Sequence, residues 1–403
     1  MATVLPFKGI LPSKDFANKI VTHSADNYSL EQVEKIIYKN PLTYLSVIYP
    51  DFIDKQKTSP HSLERFQKIY NRFHLLSNQG YFVQETKPVY YVYKQKHTHF
   101  EFNGIIAAIS VEDYFNGVIK IHEQTLSQRE EKLKEYLKHC KINAEPVLFF
   151  YEKNPSLQNL IFQIQSKTPE IVIELDNVKH LLWKSEDDFI NQQIQIHFEK
   201  MDAVFIGDGH HRSSSSALLA KEMGNKAGKS FSYFLGAFFQ EDNLKIYSFH
   251  RLLKQVNVPE NFIEQLQRYF NVVEINSHQY PLQPHKIGMY WNRKRFLLEL
   301  KDENQTILDT EVLSKYIISE IFQIKDIRNN PSIQYLPEYT YSINDVEKMI
   351  DDKKYQLAFF TYPVSINVVK DIALQHKTMP PKSTYVLPKL LNALVLYSLE
   401  NSM

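Results

Sequence analysis

Strand-like and helix-like segments are mixed irregularly along this chain, and that mixture restricts its fold more than any other feature. Aromatic and β-branched residues are concentrated at 89–93 and 100–111, on either side of a polar stretch, which predicts a β-hairpin. A second hairpin is predicted at 286–300, turning at Asn292 and Arg293. Because strands and helices do not alternate as regular βαβ units, we predict an α+β fold with mixed sheets and flanking helices.

Shorter signals predict individual elements. Ser29 with Gln32, and Thr125 with Gln128, have the spacing of capping boxes and predict the start of two helices. The apolar stretch at 44–49 is typical of a strand.

The length indicates more than one domain. At roughly 150 residues per domain, 403 residues correspond to two or three domains. We predict an N-terminal α+β region at 1–150, a central region at 151–325 and a C-terminal α+β region at 326–403. The nearest approach to a linker is 324–338, where two prolines interrupt the pattern.

Composition excludes several classes of protein. The net charge of +1, without a basic helix-turn-helix, argues against a nucleic-acid partner. The longest apolar runs are about 8 residues, far below the roughly 20 of a membrane helix, so no membrane partner is expected. One cysteine, Cys140, and no signal-peptide pattern at the start predict a cytoplasmic protein. Only 10 glycines leave no glycine-rich nucleotide loop of the usual types.

The most informative segment is AVFIGDGHHRSSSSALLA at 203–220. A buried strand is predicted to enter the turn at Asp208 and Gly209, followed by a helix that begins with His210, His211 and Arg212. Backbone N–H groups at a helix start, together with an arginine and the hydroxyl of Ser213, suit a phosphate. The alternative is a simple strand–turn–helix junction with Asp208 as the helix cap. The sequence near the two histidines offers no third metal ligand, so no metal site is predicted.

Two other segments contain candidate residues. His122 and Glu123 precede the helix predicted from Thr125. A carboxylate at this position can take a proton from a hydroxyl. The alternative is a surface carboxylate that is stabilised there by the helix dipole. In MPPKSTYVLPK at 379–389, two prolines fix an extended entry to the loop that holds Lys382, Ser383 and Thr384. A lysine and two hydroxyls suit contact with an anion. The alternative is an ordinary turn with a solvated lysine. Arg251 is either an anion contact or part of a structural ion pair.

Several stretches together resemble one family, catalogued as domain of unknown function 1015, within the larger group of ParB-like nucleotide hydrolases and free serine kinases. The matching stretches are PFKGILP at 6–12, NPLTYLSVIYPDF at 40–52, GIIAAISVEDYFNGVIKIHEQT at 104–125, EPVLFFY at 145–151, FIGDGHHRSSSSA at 205–217, FSYFLGAFFQEDNLKIYSFHRLL at 231–253, AFFTYPVS at 358–365 and MPPKSTYVLPKLLNALV at 379–395. GDGHHR and MPPKST in this order and at this separation are highly specific.

The resemblance implies a ParB- and serine-kinase-like nucleotide-binding core with an accessory α+β region. It implies that Glu123, beside His122, is the base that activates a hydroxyl, that residues 209–212 hold nucleotide phosphates, and that residues 382–384 close the site. Asp208, Ser213 and Arg251 are further candidates for contacts with the nucleotide. The expected function is transfer of phosphate from ADP or ATP, with Mg²⁺, to a small hydroxyl-bearing metabolite such as serine. The choice among ADP, ATP and CTP stays open, as does the oligomeric state, a homo-oligomer included.

The sequence also departs from the family pattern. Residues 23–28 replace a Pro-Pro-Tyr-Asp motif, Leu133 stands where an arginine is usual, and SIQYLPEYT at 332–340 replaces a glycine-rich basic segment. These departures favour the alternative, a ParB-like regulatory module that binds or slowly hydrolyses a nucleotide with little or no kinase activity.

Overall fold

The computed structural model describes residues 1–224, 228–276, 283–301, 308–400 and 402–403. Contacts divide the chain into two compact units. Unit 1 consists of Met1–Ile121, Thr125–Leu244 and Pro388–Met403, and unit 2 consists of His122–Gln124 and Lys245–Leu387. The three regions expected from the sequence stay a prediction.

The described strands, in chain order, are β1 (Val4–Leu5), β2 (Ile10–Pro12), β3 (Phe82–Gln84), β4 (Tyr90–Lys96), β5 (Glu101–Ser110), β6 (Ile119–Lys120), β7 (Ile142–Asn143), β8 (Val147–Tyr151), β9 (Ile171–Leu175), β10 (Val178–Ser185), β11 (Val204–Asp208), β12 (Tyr233–Gln240), β13 (Lys245–Tyr247), β14 (Phe249–Leu253), β15 (Phe270–Ile275), β16 (Lys286–Trp291), β17 (Lys294–Leu300), β18 (Ile333–Pro337), β19 (Leu357–Phe360), β20 (Tyr385–Leu387) and β21 (Tyr397–Ser398). The described α-helices are α1 (Ala17–Ile20), α2 (Leu30–Lys39), α3 (Leu45–Ile48), α4 (Asp51–Asp54), α5 (Leu63–Asn78), α6 (Val111–Phe115), α7 (Ser127–Cys140), α8 (Pro155–Gln165), α9 (Asp188–Glu199), α10 (His210–Met223), α11 (Phe262–Gln267), α12 (Asp309–Val312), α13 (Ile343–Asp351) and α14 (Ile366–Leu374). A π-helical segment, Leu313–Ile321, continues α12.

Unit 1 is built on a nine-stranded mixed sheet. Its strands follow the order β6-β11-β8-β12-β5-β4-β10-β9, and β1 pairs with β5. Two pairs, β11 with β6 and β12 with β8, are parallel, and the other pairs in the sheet are antiparallel. A large apolar cluster joins this sheet to side chains of α8 and α9, including Ile161 and Phe198. Mixed strand directions with flanking helices confirm the predicted α+β class.

Unit 2 contains a six-stranded antiparallel sheet in the order β15-β17-β16-β19-β14-β18. One apolar cluster joins Phe359 of this sheet to Leu313 and Ile317 of the π-helical segment, and another joins Phe360 to Val346 of α13. Helices therefore pack against the two faces of the sheet, because neighbouring strand residues point to opposite faces.

Most local predictions are confirmed. The hairpin of β4 and β5 forms, as does that of β16 and β17, where Asn292 and Arg293 both have positive φ angles. The strand predicted at 44–49 is wrong, because helix α3 occupies this stretch. Most of α3 is buried, and a short run of buried apolar residues does not distinguish a strand from a helix.

Two further expectations are corrected. The helix expected to be capped by Thr125 begins at Ser127, with Leu126 at its cap, and the Thr125 hydroxyl donates to Glu130 instead. The expected linker contains β18, in which Pro337 is the last residue of an edge strand, a position where the missing N–H of proline is tolerated. Among the described helices, none has the length and apolar character needed to cross a membrane.

Candidate functional site

The predicted turn from strand to helix is confirmed in unit 1. β11 ends at Asp208, Gly209 adopts a φ of 103°, and α10 begins at His210. A Cβ atom on Gly209 would lie 2.8 Å from both Nε and Nη2 of Arg212. The backbone angle therefore favours glycine here, and its missing side chain leaves room for the arginine that folds back over it.

Asp208 does not cap the helix, because Gly209 occupies the cap position. Instead, the Asp208 carboxylate accepts a hydrogen bond from Lys389 Nζ at 3.0 Å. Although burial raises the pKa of Asp208, the charges of Lys389 and Arg212 lower it well below its usual range. The turn thus presents an ionised carboxylate beside two cations.

Arg212 also has a counter-charge. Its guanidinium forms an ion pair with Glu145, and the second oxygen of Glu145 accepts a hydrogen bond from Ser24 Oγ at 3.1 Å. Burial alone lowers the pKa of Arg212, but Glu145 and Asp208 raise it above its ordinary value. A guanidinium that pairs with a carboxylate has the fork geometry that also suits a phosphate.

The serines after Arg212 face the protein interior. Ser213 is fully buried, and its hydroxyl donates to Gly209 O at 3.3 Å. Ser215, also fully buried, donates to Glu130 O of α7 at 3.0 Å. Small side chains here let α10 pack against α7. His210 is buried and His211 half-buried; within the described ranges, no three His, Cys, Asp or Glu side chains are grouped to hold a metal ion.

A buried polar network supports Lys389. Gln95 Nε2 donates to Tyr93 Oη at 2.8 Å and to Lys389 O at 2.7 Å. The Tyr93 oxygen lies 2.7 Å from His180 Nδ1, and we assign the Tyr93 hydroxyl as the donor of this bond, which makes Nδ1 the unprotonated nitrogen of a neutral imidazole. The three side chains are buried, so this network fixes the backbone of the lysine that pairs with Asp208.

The network predicts a pH dependence of stability. Burial, aided by the charges of His23 and His97, lowers the pKa of His180 from 6.5 to about 3. As the pH falls below 6.5 the unfolded chain therefore takes up a proton that the folded chain refuses, and stability decreases. His180→Asn keeps an acceptor for Tyr93 but cannot titrate. Between pH 7.5 and 5.5, we expect the parent to lose about 1.4 kcal/mol more unfolding free energy than the variant, measured by denaturant titration. Equal losses in both proteins would contradict a neutral, buried His180.

In unit 2, the predicted His-Glu pair lies beside the MPPKST loop. Met379 N donates to His122 O at 2.9 Å, and Glu123 forms a parallel bridge with Met379. His122 is buried and Glu123 half-buried. The structure thus brings together two segments that are far apart in sequence.

The same loop is anchored by buried polar side chains. Arg251 Nη2 donates to Lys382 O at 3.2 Å, and the hydroxyls of Ser383 and Thr310 lie 3.0 Å apart. Lys382 is exposed, with a positive φ of 58°, and Thr384 is half-buried. Arg251 belongs to no ion pair within the described ranges, so the structural ion pair considered from the sequence is absent there.

The predicted site residues therefore form two groups, one in each unit. Asp208, Gly209 and residues 210–213 lie together in unit 1, and His122, Glu123, Arg251 and residues 382–384 lie together in unit 2. Sequence reasoning missed Glu145 and Lys389, although Lys389 belongs to the MPPKSTYVLPK segment in which candidate residues were identified. It also missed Gln95, for which the sequence has no signal.

Comparison with known protein families identifies the family of most of this chain. The model of a family described as a protein of unknown function, DUF1015, matches residues 4–318. No curated protein sequence matches the chain.

Among solved structures, the chain is similar to a variant of free serine kinase in complex with ADP, with 14% identity, 73% of this chain and 92% of that chain covered, and a TM-score of 0.39. It is also similar to a conserved hypothetical protein from Pyrococcus furiosus (16% identity, 73% and 96% covered, TM-score 0.38) and to SbnI with C-terminal truncation from Staphylococcus aureus (15%, 70% and 82%, TM-score 0.38). At these TM-scores the similarity carries no argument about activity.

Proposed function

This chain belongs to the DUF1015 family, and we propose that it is a nucleotide-dependent kinase with a ParB- and serine-kinase-like core. In this proposal it transfers a phosphate from ADP or ATP to the hydroxyl of a small amino acid such as serine. The observation that carries the proposal is the turn at residues 208–212, where Arg212 folds over Gly209 at the start of α10.

This turn suits phosphate for three physical reasons. The N-terminus of the 14-residue helix α10 has a positive dipole end. Arg212 supplies a fork of N–H donors, and its partner Glu145 is a carboxylate that a phosphate can replace. Lys389 adds a second cation beside Asp208. Phosphoryl transfer requires mainly positioning and charge neutralisation, and these groups supply both.

Glu123 is assigned the role of general base. Its carboxylate is half-buried next to the rigid MPPKST loop, and the bridge with Met379 fixes its backbone. A positioned carboxylate can take the proton of a hydroxyl as that oxygen attacks phosphorus. His122, buried beside it, is assigned to orient this segment.

Mg²⁺ fits the charged residues of the turn. Asp208 is ionised and 45% exposed, and ionised oxygens are the ligands that Mg²⁺ prefers, one or two carboxylates sufficing when nucleotide phosphates supply the rest. Asp208 and Glu145 would hold the ion, which would neutralise charge on the transferred phosphate.

The second candidate is a nucleotide-binding regulatory module. The segments that depart from the family pattern have structural contacts in this chain. His23 pairs with Asp176 at 2.8 Å, Ser24 supports the Glu145 that occupies Arg212, and part of 332–340 forms β18. In this second candidate, Glu145 restrains Arg212, and the chain binds a nucleotide without transferring its phosphate.

A thermal-shift screen of ADP, ATP, CTP and AMP, each with and without Mg²⁺, tests both candidates. A ligand at 100 times its dissociation constant adds about 2.7 kcal/mol of stability, so binding raises the melting temperature measurably. A shift by a nucleotide, followed by turnover of serine in a coupled assay, supports the kinase; a shift without turnover of any hydroxy amino acid supports the module. No shift with any nucleotide contradicts both.

A further inference from the structure

Arg251 is a buried cation that has no anionic partner in the part of the chain that the structure describes. Among those residues its guanidinium makes two hydrogen bonds, to Phe249 O and Lys382 O, both at 3.2 Å, and its centre lies 5.5 Å from the Tyr335 ring. Its Nε has no hydrogen-bond partner, and no carboxylate within the described ranges lies at ion-pair distance. Burial lowers the pKa of Arg251 to about 10. A buried charge of this kind is costly unless something pairs with it.

Asp309 is a buried anion nearby. Its Oδ1 accepts a hydrogen bond from the backbone N–H of His285 at 2.8 Å, with the His285 ring Nδ1 at 3.9 Å. Its Oδ2 is buried without a hydrogen-bond partner in the described part of the chain, as is the hydroxyl of Thr361. Burial raises the pKa of Asp309, and this effect outweighs the backbone N–H groups of His285 and Tyr362 and the charges of His285 and Arg251, all of which lower it.

These groups lie in one region of unit 2. Arg251 bonds to Lys382, the next residue Ser383 contacts Thr310, and Thr310 follows Asp309 in the chain. The two charges attract each other, yet they do not form an ion pair. Arg251 and Leu253 share the face of the sheet that packs against α12 and its π-helical continuation. The region thus presents an unfilled donor and an unfilled acceptor.

We propose that Arg251 and Asp309 bind the carboxylate and the ammonium group of a free α-amino acid. A phosphate would be attracted by Arg251 but repelled by Asp309, whereas a metal cation would be attracted by Asp309 but repelled by Arg251. A zwitterion is the ligand that neutralises both. The inference rests on the proposed function for its biological meaning, since the amino acid would be the phosphate acceptor.

The proposal predicts which small molecules bind. L-serine and L-alanine both have the two charged groups, whereas ethanolamine lacks the carboxylate and 3-hydroxypropionate lacks the amine. In isothermal titration of the whole protein, with and without saturating ADP, we expect ethanolamine and 3-hydroxypropionate to bind about tenfold or more weakly than serine, the effect of losing a charged hydrogen bond. Alanine should bind nearly as well as serine.

Variants assign the two charges separately. Arg251→Met should remove the preference for serine over ethanolamine, and Asp309→Asn the preference for serine over 3-hydroxypropionate. Arg295→Met is a matched control, because Arg295 is a unit 2 arginine that pairs with Glu347 through two 2.7 Å bonds; it should leave both preferences intact. If Arg251→Met fails to fold, the relative affinities of the parent protein for serine, ethanolamine and 3-hydroxypropionate still test the proposal.

The outcomes separate this inference from the proposed kinase. Serine binding that discriminates as predicted, in a protein with no nucleotide-induced thermal shift, supports the amino-acid site and contradicts the kinase. A nucleotide shift without serine binding in either titration contradicts the amino-acid site alone. Equal binding of serine, ethanolamine and 3-hydroxypropionate also overturns it, because two charges that contact the ligand would select the zwitterion.

Discussion

Replacing Glu123 by Gln is expected to lower turnover by roughly 10² to 10⁴-fold while nucleotide affinity barely changes. Glutamine keeps the size of the side chain and one acceptor oxygen, but it cannot take a proton from the attacking hydroxyl. The measurement is a coupled kinase assay with serine and ADP or ATP, together with a nucleotide titration of the same preparation.

Glu64→Gln is the matched control. Glu64 is an exposed carboxylate in the first turn of α5, so its removal changes helix-start electrostatics by about 0.3 to 1 kcal/mol without touching the site. Turnover should be unaffected. The kinase proposal is contradicted if Glu123→Gln retains full turnover, and a loss of stability alone would assign Glu123 a structural role.

Removing Arg212 is expected to have the largest effect on nucleotide binding. Arg212→Ala should weaken the affinity by about 1.5 to 3 kcal/mol, or roughly 10- to 150-fold, because a hydrogen-bonded cation at the phosphate is lost. The unpaired Glu145 then adds repulsion toward an incoming phosphate. Nucleotide titration by calorimetry measures the change.

Arg268→Ala provides the comparison for Arg212→Ala. Arg268 is an exposed arginine at the end of α11, so its loss changes the net charge by the same amount. It should leave nucleotide affinity within about twofold, because solvent and salt screen an exposed charge. If Arg212→Ala binds nucleotide as tightly as Arg268→Ala, then Arg212 serves to hold Glu145 and the phosphate site is misplaced.

Local chemistry explains what could be predicted about the site. The turn at Asp208 and Gly209 is encoded by consecutive residues: a buried strand, a glycine that tolerates a positive φ, and a polar helix start. Its confirmation required no knowledge of distant parts of the chain. Motifs at 122–123 and 379–384 were identified as candidates for the same reason, but their adjacency in unit 2 was not visible in either motif.

Long-range partners could not be predicted. Lys389 reaches Asp208 across 181 residues, and Gln95 contacts Lys389 across 294 residues. An isolated glutamine in a strand carries no local signature of such a contact. Glu145 likewise precedes β8 as an ordinary charged residue, and only folding brings it to Arg212 and Ser24.

The sequence by itself determined the α+β class, the two hairpins and the strand–turn–helix at residue 208, because hydrophobic periodicity and turn chemistry act over a few neighbouring residues. Only the tertiary structure decided that 44–49 is helical, that 333–337 is an edge strand, and which charges are paired. Arg251 and Asp309 illustrate the reason. The cost of a buried charge depends on every group around it, and those groups come from distant segments that only the fold assembles.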